Sequence, residues 1–351
     1  MASVIRHTRT DERVRFCGLA WRRDPLTRRL TILAAAWAMM MLGAGAFNPS
    51  LLSPGALAAL LVDAAPAVIV GTGLTLLVIS GEIDVSVGSL LGLLAAVAGL
   101  LSSPSHAGLS AWAAAGVVVA AGAVAGLLNG LLVVFGRVPS LLATLGMLSA
   151  WRGATELLLS GNWITDAGAD LRKVGQEVFL GLPAPIWIAG IVATATIVLA
   201  QRTRLGRRTY AVGDHEEAAR LAGVPVAATK MLMFVLTGAM TGVAALVSLG
   251  QTSVIESGIG AGFELTVVTA VVVGGTSIRG GAGTIAGTAL AVFWLGSVRT
   301  VLVHLKLGES ATHWERAIAG MCILAAVLLD HLSRRRGGTR GTGPATLEVS
   351  A

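Results

Sequence analysis

Roughly ten apolar stretches, most of them near the 20 residues that an α-helix needs to cross the hydrocarbon core of a bilayer, run along this chain and are separated by polar connections. They lie near Leu30 to Phe47, Leu57 to Ile79, Val87 to Leu101, Leu109 to Phe135 and Pro139 to Ser160. The rest lie near Pro185 to Ala200, Met231 to Gly250, Glu264 to Gly274, Ala282 to Val303 and Trp314 to His331, and the third and eighth stretches are short. Of the 351 residues, 54% are hydrophobic and 13% charged, and mean hydropathy is +0.78, which excludes a soluble multidomain fold. The predicted class is an all-α, polytopic integral membrane protein of about ten transmembrane helices.

Charge placement gives the orientation, because cytoplasmic connections carry the excess of Lys and Arg. With both termini cytoplasmic, the inner segments are residues 1–29, the connections near 80, 137, 201–230 and 279, and the tail after 332, and these hold most of the 26 basic residues. Arg152, Arg172, Lys173, Arg299, Lys306 and Arg316 scatter over the outer half. The net charge of +7 is thereby explained by topology, without a nucleic-acid partner. The chain divides into a cytoplasmic tail (1–29), a transmembrane domain (30–332) whose longest inner connection is 201–230, and a disordered basic tail (333–351). The first apolar stretch follows a polar tail and lacks a small-residue cleavage site, so it reads as a retained helix. Cys17 and Cys322 fall in different compartments and have no metal-ligand neighbours.

Two Gly-rich segments interrupt the apolar pattern. Gly81-Glu82-Ile83-Asp84-Val85-Ser86-Val87-Gly88-Ser89 places carboxylates and hydroxyls between two apolar stretches. A carboxylate at membrane depth costs about 2.5–3.5 kcal/mol on insertion scales, so such residues line a cavity, a pathway or a protein interface. Val273-Gly274-Gly275-Thr276-Ser277-Ile278-Arg279-Gly280-Gly281-Ala282-Gly283-Thr284 is the second interruption. Both follow a β-branched run and open into another apolar stretch, which suggests an internal repeat of broken helices and points to a substrate route. Asp63, Thr72, Thr75, Asn129, Thr144, Thr269 and Gln251 are the other polar residues in or beside the spans. Threonine and asparagine in such helices more often bond a neighbouring helix or their own backbone than a solute.

The connection 201–230 encodes a short helix, Asp214-His215-Glu216-Glu217-Ala218-Ala219-Arg220-Leu221-Ala222, followed by Gly223-Val224-Pro225. Asp214 is its expected N-cap, with Glu217 completing a capping box. Gly223 suits the C′ position and Pro225 ends the helix. About two turns are marginal alone in water, so contacts with the rest of the protein or a partner must stabilise it. The outer connection 161–184 reads as either a short surface helix or a solvated loop. No Gly-x-x-x-x-Gly-Lys-Ser/Thr loop, His-Glu-x-x-His motif or Gly-x-Ser-x-Gly elbow occurs, so the chain reads as a non-enzyme without cofactor, and any ATP-driven step belongs to a partner.

These segments together resemble the membrane permease subunits of bacterial ABC importers for monosaccharides, the ribose, xylose and galactose permease family. The run from Ser80 to Ser89 is similar to that family's Gly-Gly-Ile-Asp-Leu-Ser-Val-Gly-Ser, with Glu82 in place of the second glycine. Val138-Pro139-Ser140-Leu141-Leu142-Ala143-Thr144-Leu145-Gly146 resembles its Val-Pro-x-Phe-Ile-x-Thr-Leu-Gly, and Gly274-Gly275-Thr276-Ser277 its late Gly-Gly-x-Ser. The resemblance implies a multi-pass protein of the bacterial inner membrane. Its implied partners are two ATPase subunits, a second permease copy or paralogue, and a periplasmic or lipid-anchored sugar-binding protein. It implies a substrate pathway near Asp84, Ser86, Ser89, Asn129, Thr144, Thr276 and Ser277. It further implies ATPase coupling through Asp214, Glu216, Glu217, Ala218, Ala219, Arg220 and Gly223. A branched-chain amino acid permease and an ion-coupled secondary transporter with Glu82 or Asp84 as carrier remain as alternatives.

Overall fold

The computed structural model describes residues 25–252 and 254–304, together with 314, 317, 318, 320–322 and 324. In chain order the helices are α1 (Pro25–Phe47), α2 (Pro54–Ile79), α3 (Val87–Ser102), α4 (Ala111–Val134), α5 (Ser140–Leu159) and α6 (Ala169–Gln176). After the small hairpin of β1 (Val178–Phe179) and β2 (Leu182–Pro183) come α7 (Ala184–Arg202), α8 (Arg204–Asp214), α9 (Glu216–Leu221), α10 (Val226–Gln251), α11 (Phe263–Val273) and α12 (Ile285–His304).

A helix that is apolar on every face is stable only when surrounded, by protein or by lipid. Two such helices resolve the choice differently. The apolar window of α2 is 89% buried inside the protein and that of α1 only 11%, so α2 is the axis of the bundle and α1 lies at its margin. Helices α7, α10, α11 and α12 pack around α2. Its polar groups are used locally. Thr72 Oγ1 donates to the Ile69 carbonyl (2.8 Å), Thr75 Oγ1 to the Gly71 carbonyl (2.6 Å), and the Thr75 hydroxyl lies 2.6 Å from that of Thr288 on α12. Pro66 has no N–H to give to the carbonyl four residues earlier, that of Val62. Gln251 Nε2, from the end of α10, donates to that carbonyl at 2.8 Å.

Helices α4 and α10 approach through glycine. Lipid tails are as apolar as leucine, so helices in a bilayer associate through close packing rather than hydrophobic exclusion. Gly122 and Gly126 on α4 face Gly238 and Gly242 on α10, each pair four residues apart and on one helix face. A Cβ on Gly238 would stand 2.9 Å from Gly126 Cα, and one on Gly242 2.9 Å from Val119 Cα, so the two backbones touch.

Among the described residues six helices, α1, α2, α4, α7, α10 and α12, are long and apolar enough to cross a membrane. The expected short stretches are short here, with 16 residues in α3 and 11 in α11. Helix α5 has 20 residues and includes Arg152 and Glu156. The tenth expected stretch, 314–331, and the tails 1–24 and 333–351 fall largely or wholly outside the described residues. Helix α1 starts at Pro25, within the segment expected as a tail.

The connections gather into two groups. In one, the segments after α2, after α4 and after α11 meet: Gly281 N–H donates to the Ile79 carbonyl (2.9 Å) and Ile83 N–H to Ser140 Oγ (3.3 Å). In the other, Ile164 and Ile255 form an antiparallel bridge, the hydroxyls of Ser103 and Ser105 donate to Asp166, and Arg152 Nη1 donates to the carbonyls of Ser257 and Ile259. The 161–184 connection holds the surface helix that was one of its two readings, α6, together with the hairpin.

Replacing Gly238 by valine forces α4 and α10 apart, at an expected cost of about 3 kcal/mol. Size-exclusion chromatography should show loss of monodisperse protein. Gly116→Ala, where an added carbon meets nothing within 4 Å, should leave the elution profile unchanged.

Candidate pathway and coupling site

Helix α2 ends at Ile79 in a glycine-based closure. Ser80 is the C-cap, Gly81 adopts φ +91°, Gly81 N–H donates to the Val78 carbonyl (2.9 Å) and Glu82 N–H to that of Leu77 (3.2 Å). This is the Schellman pattern, in which a residue with positive φ lets two N–H groups turn back onto the last carbonyls. The chain then runs without helix until Val87 opens α3. Side chains from three elements satisfy that stretch. Asp84 Oδ1 accepts from Ser86 N–H (2.8 Å) and Ser86 Oγ (2.7 Å), while Asn129 Nδ2 on α4 donates to Asp84 Oδ2 (3.0 Å) and to Ser86 Oγ (2.9 Å). Thr144 Oγ1 on α5 accepts from Val85 N–H (3.3 Å). Asp84, Ser86, Ser89, Asn129 and Thr144 are all buried, with Ser89 in the first turn of α3.

Four residues named from sequence therefore form one network. The Asp84 carboxylate closes a turn onto Ser86, which is itself the N-cap residue of α3. Thr276 and Ser277 are not bonded to this network. They belong to the second break, where α11 ends by the same closure: Gly275 has φ +92°, its N–H donates to the Val272 carbonyl (3.0 Å) and Thr276 N–H to that of Val271 (3.1 Å). By this register Thr276 and Ser277 correspond to Glu82 and Ile83, and Ile278 takes the place of Asp84. The second break is longer, and Thr284 Oγ1 accepts from Gly287 N–H (3.2 Å) at the start of α12.

The connection between α7 and α10 holds two helices where the sequence suggests one. Helix α8 runs through Asp214, so Asp214 is helical and cannot be the N-cap of the next helix. His215, with extended backbone at φ −154°, takes that position, and its Nδ1 accepts from Ala218 N–H (3.2 Å). The capping box from Asp214 to Glu217 does not form. Hydropathy alone misses α8, whose buried Gly206, Thr209 and Val212 repeat every three residues among arginines. The C-terminal reading of α9 stands: Gly223 has φ +79°, Gly223 N–H donates to the Arg220 carbonyl and Val224 N–H to that of Ala219, both at 3.0 Å. Ala219 packs with Val212 and Val226, while Glu217, Ala218, Arg220, Leu221 and Ala222 remain exposed. Pro225 serves as the N-cap of α10.

Sequence reasoning missed Lys230. Its Nζ, in the second turn of α10, donates to Glu82 Oε1 (2.7 Å) and to Glu216 Oε2 (2.8 Å), joining the first break to α9. A lysine opposite a carboxylate far away in sequence leaves no local signature. A cavity of about 620 Å³ lies elsewhere, at the other end of α10, and its lining includes Leu91, Gln251, Thr252, Thr266, Leu295 and Arg299. None of the pathway residues named from sequence lines it.

A family model described as branched-chain amino acid transport system / permease component matches residues 56–327. The chain belongs to this permease family. Among curated proteins it is similar to the autoinducer 2 import system permease protein LsrC of Salmonella typhimurium, 34% identical over 286 residues that cover 82% of this chain and 81% of that protein. The LsrC proteins of Escherichia coli (33% over 303 residues, 86% of each chain) and of an Enterobacter species (36% over 286 residues, 81% of each) match similarly. No solved structure matches. The permease is thus a multi-pass inner-membrane subunit of a transport system, as the importer-permease reading of the sequence expects.

In the permease, Asn129→Leu leaves Asp84 Oδ2 buried without its donor, an expected loss of about 2 kcal/mol. Thermal unfolding of the purified protein in detergent should show the lowered midpoint. A second expectation concerns pH. Hydrogen bonding to Lys230 holds Glu216 below its ordinary value of 4.5. A carboxylate depressed by folding contributes stability above its unfolded value and loses it as pH falls through the folded one. Hydrogen-exchange protection of α9 should therefore hold at neutral pH and weaken only in acid, as pH falls below 4.5.

Proposed function

We propose that this permease is the membrane subunit of an ATP-driven importer that moves a monosaccharide-type polyol into the cytoplasm by alternating access. The observation that carries the reading is α9, a helix of six residues capped at both ends. Its exposed side presents Glu217, Ala218 and Leu221, the last 83% exposed, while Glu216 at its base is tied through Lys230 to the first break. A helix of this length holds its shape only through contacts, so a small-residue face left open on it suits a partner protein. The partner is an ATPase subunit that closes on ATP, with Asp214, Glu216, Glu217, Ala218, Ala219, Arg220 and Gly223 as the coupling segment.

Around this centre the finer topology follows. The bundle crosses the membrane about ten times with both termini in the cytoplasm. The grouping of connections near 80, 137, 201–230 and 279 at one end, and of those near 103, 166 and 255 at the other, supports that count. A second permease, identical or paralogous, completes the pathway, and a periplasmic or lipid-anchored binding protein delivers the solute to the end that holds the cavity. Asp84, Ser86, Ser89, Asn129, Thr144, Thr276 and Ser277 organise the two breaks that border the route. A polyol needs many weak hydrogen bonds and no counter-charge, which suits hydroxyl and amide groups. The named relatives import autoinducer 2, which favours this solute class over the amino acids in the family's description.

Mass spectrometry of proteins that co-purify with the tagged permease from native membranes should recover an ATPase with a phosphate-binding loop and a soluble binding protein, on which sugars and branched-chain amino acids can be screened. In that complex Glu217→Lys should uncouple ATP hydrolysis from uptake, lowering transport per ATP about tenfold, the size of a coupling free energy of 1–2 kcal/mol. Recovery of the permease alone, with uptake driven by an ion gradient in ATP-free vesicles, would instead identify a secondary transporter.

A further inference from the structure

We propose that Glu82, Lys230 and Glu216 form an ionic link that passes the movement of α9 to the break between α2 and α3. The inference rests on the reading of α9 as the ATPase-facing helix and names how its motion reaches the bundle. Lys230 stands between two carboxylates at 2.7 and 2.8 Å, and an ammonium group has three N–H donors to share between them. The side chains of Lys230 and Glu82 are only 14% and 12% exposed, against 44% for Glu216. The link therefore runs from a wet end on α9 to a largely dry end on the break. An exposed ion pair is easily exchanged for water, whereas parting a buried one strands a charge. The pair between Lys230 and Glu82 is the less yielding of the two, so the start of α10 and the first residues of the break move as one body, and Glu216 ties α9 to that body.

The backbone at the same corner supports transmission. Gly213, near the end of α8, lies against the Ile79 carbonyl and Gly281 N–H with no room for a Cβ. A Cβ on Gly280 would stand 3.0 Å from Gly81 Cα, and one on Gly281 2.8 Å from Asp214 Cα. Tyr210 Oη donates to the Gly283 carbonyl at 3.0 Å. The second break is thus held to α8 by close backbone packing, and the first break is held to α9 by charge. Glu82 occupies the position where the similar sugar-permease motif has glycine.

The test uses the permease in complex with its co-purified ATPase in lipid nanodiscs, with Cys17 and Cys322 replaced by serine and half-buried Val85 replaced by cysteine as reporter. Labelling of Val85→Cys by a soluble maleimide is timed without nucleotide and with ATP plus vanadate. The expected nucleotide effect is about fivefold in the parent, falling below about twofold in Glu82→Gln and in Lys230→Met. The double variant should lose no more than either single one, because both remove the same link. Glu82→Gln is isosteric and carries the test if Lys230→Met does not assemble. A full nucleotide response in Glu82→Gln, or none in the parent, overturns the proposal. A photocrosslinker on Leu221→Cys separates the two readings. If it captures the ATPase while the single variants respond normally, the ionic link alone is wrong; if it captures nothing, the docking role of α9 is wrong as well.

Discussion

Every interrupted helix in a lipid-facing protein must find partners for its freed N–H and C=O groups within the protein, because hydrocarbon offers none. Much of this bundle is arranged by that requirement. The carbonyl that Pro66 leaves open at Val62 receives Gln251, and the carbonyls of Ser257 and Ile259 receive Arg152. The two principal breaks turn their last N–H groups inward by one glycine each, and side chains of α4 and α5 satisfy the stretch that follows the first. The Asp84 carboxylate accepts from Ser86 N–H, Ser86 Oγ and Asn129 Nδ2, which lowers the cost of burying it.

The two breaks solve the same problem with different materials. They share the glycine closure that ends the helix before each of them, and then diverge. The first is short and fixed by polar side chains. The second is longer and rich in glycine, and it closes by backbone contact with α8 and by donation from Gly281 to the last turn of α2. That donation joins the second break to the end of α2, from which the first break starts.

The legible part of this architecture was the part written in local patterns. Apolar lengths located α1 to α5, α7 and α10 to α12, the third and eighth stretches announced the short α3 and α11, and Gly81, Gly275 and Gly223 marked the turns that φ near +80° to +90° requires. Asp84 and Asn129 drew notice as polar residues in apolar surroundings, but their bonding to each other joins positions far apart in sequence and has no periodic trace. The error at Asp214 has a similar origin. A capping box is a local motif, and whether it forms depends on whether the preceding residues are already helical, which the amphipathic α8 makes them. Lys230 was silent, and the partner of Gln251 was not legible, for the same reason: Gln251 answers a proline on another helix, and Lys230 a glutamate 148 residues away.

The placement of charge also bears on why such a protein keeps carboxylates near its breaks at all. Apolar packing resists separation in every direction alike, since dispersion and close contact have little directional preference. An ion pair of low exposure is different, because it holds one geometry strongly and gives way abruptly once water enters. A transport cycle needs segments that remain still in one state and shift as units between states, and packed interfaces with alternative arrangements provide such behaviour. In this permease the glycine contacts at Gly213 set where α8 and the breaks must touch, and the charges at Glu82, Lys230 and Glu216 set which of those contacts move together.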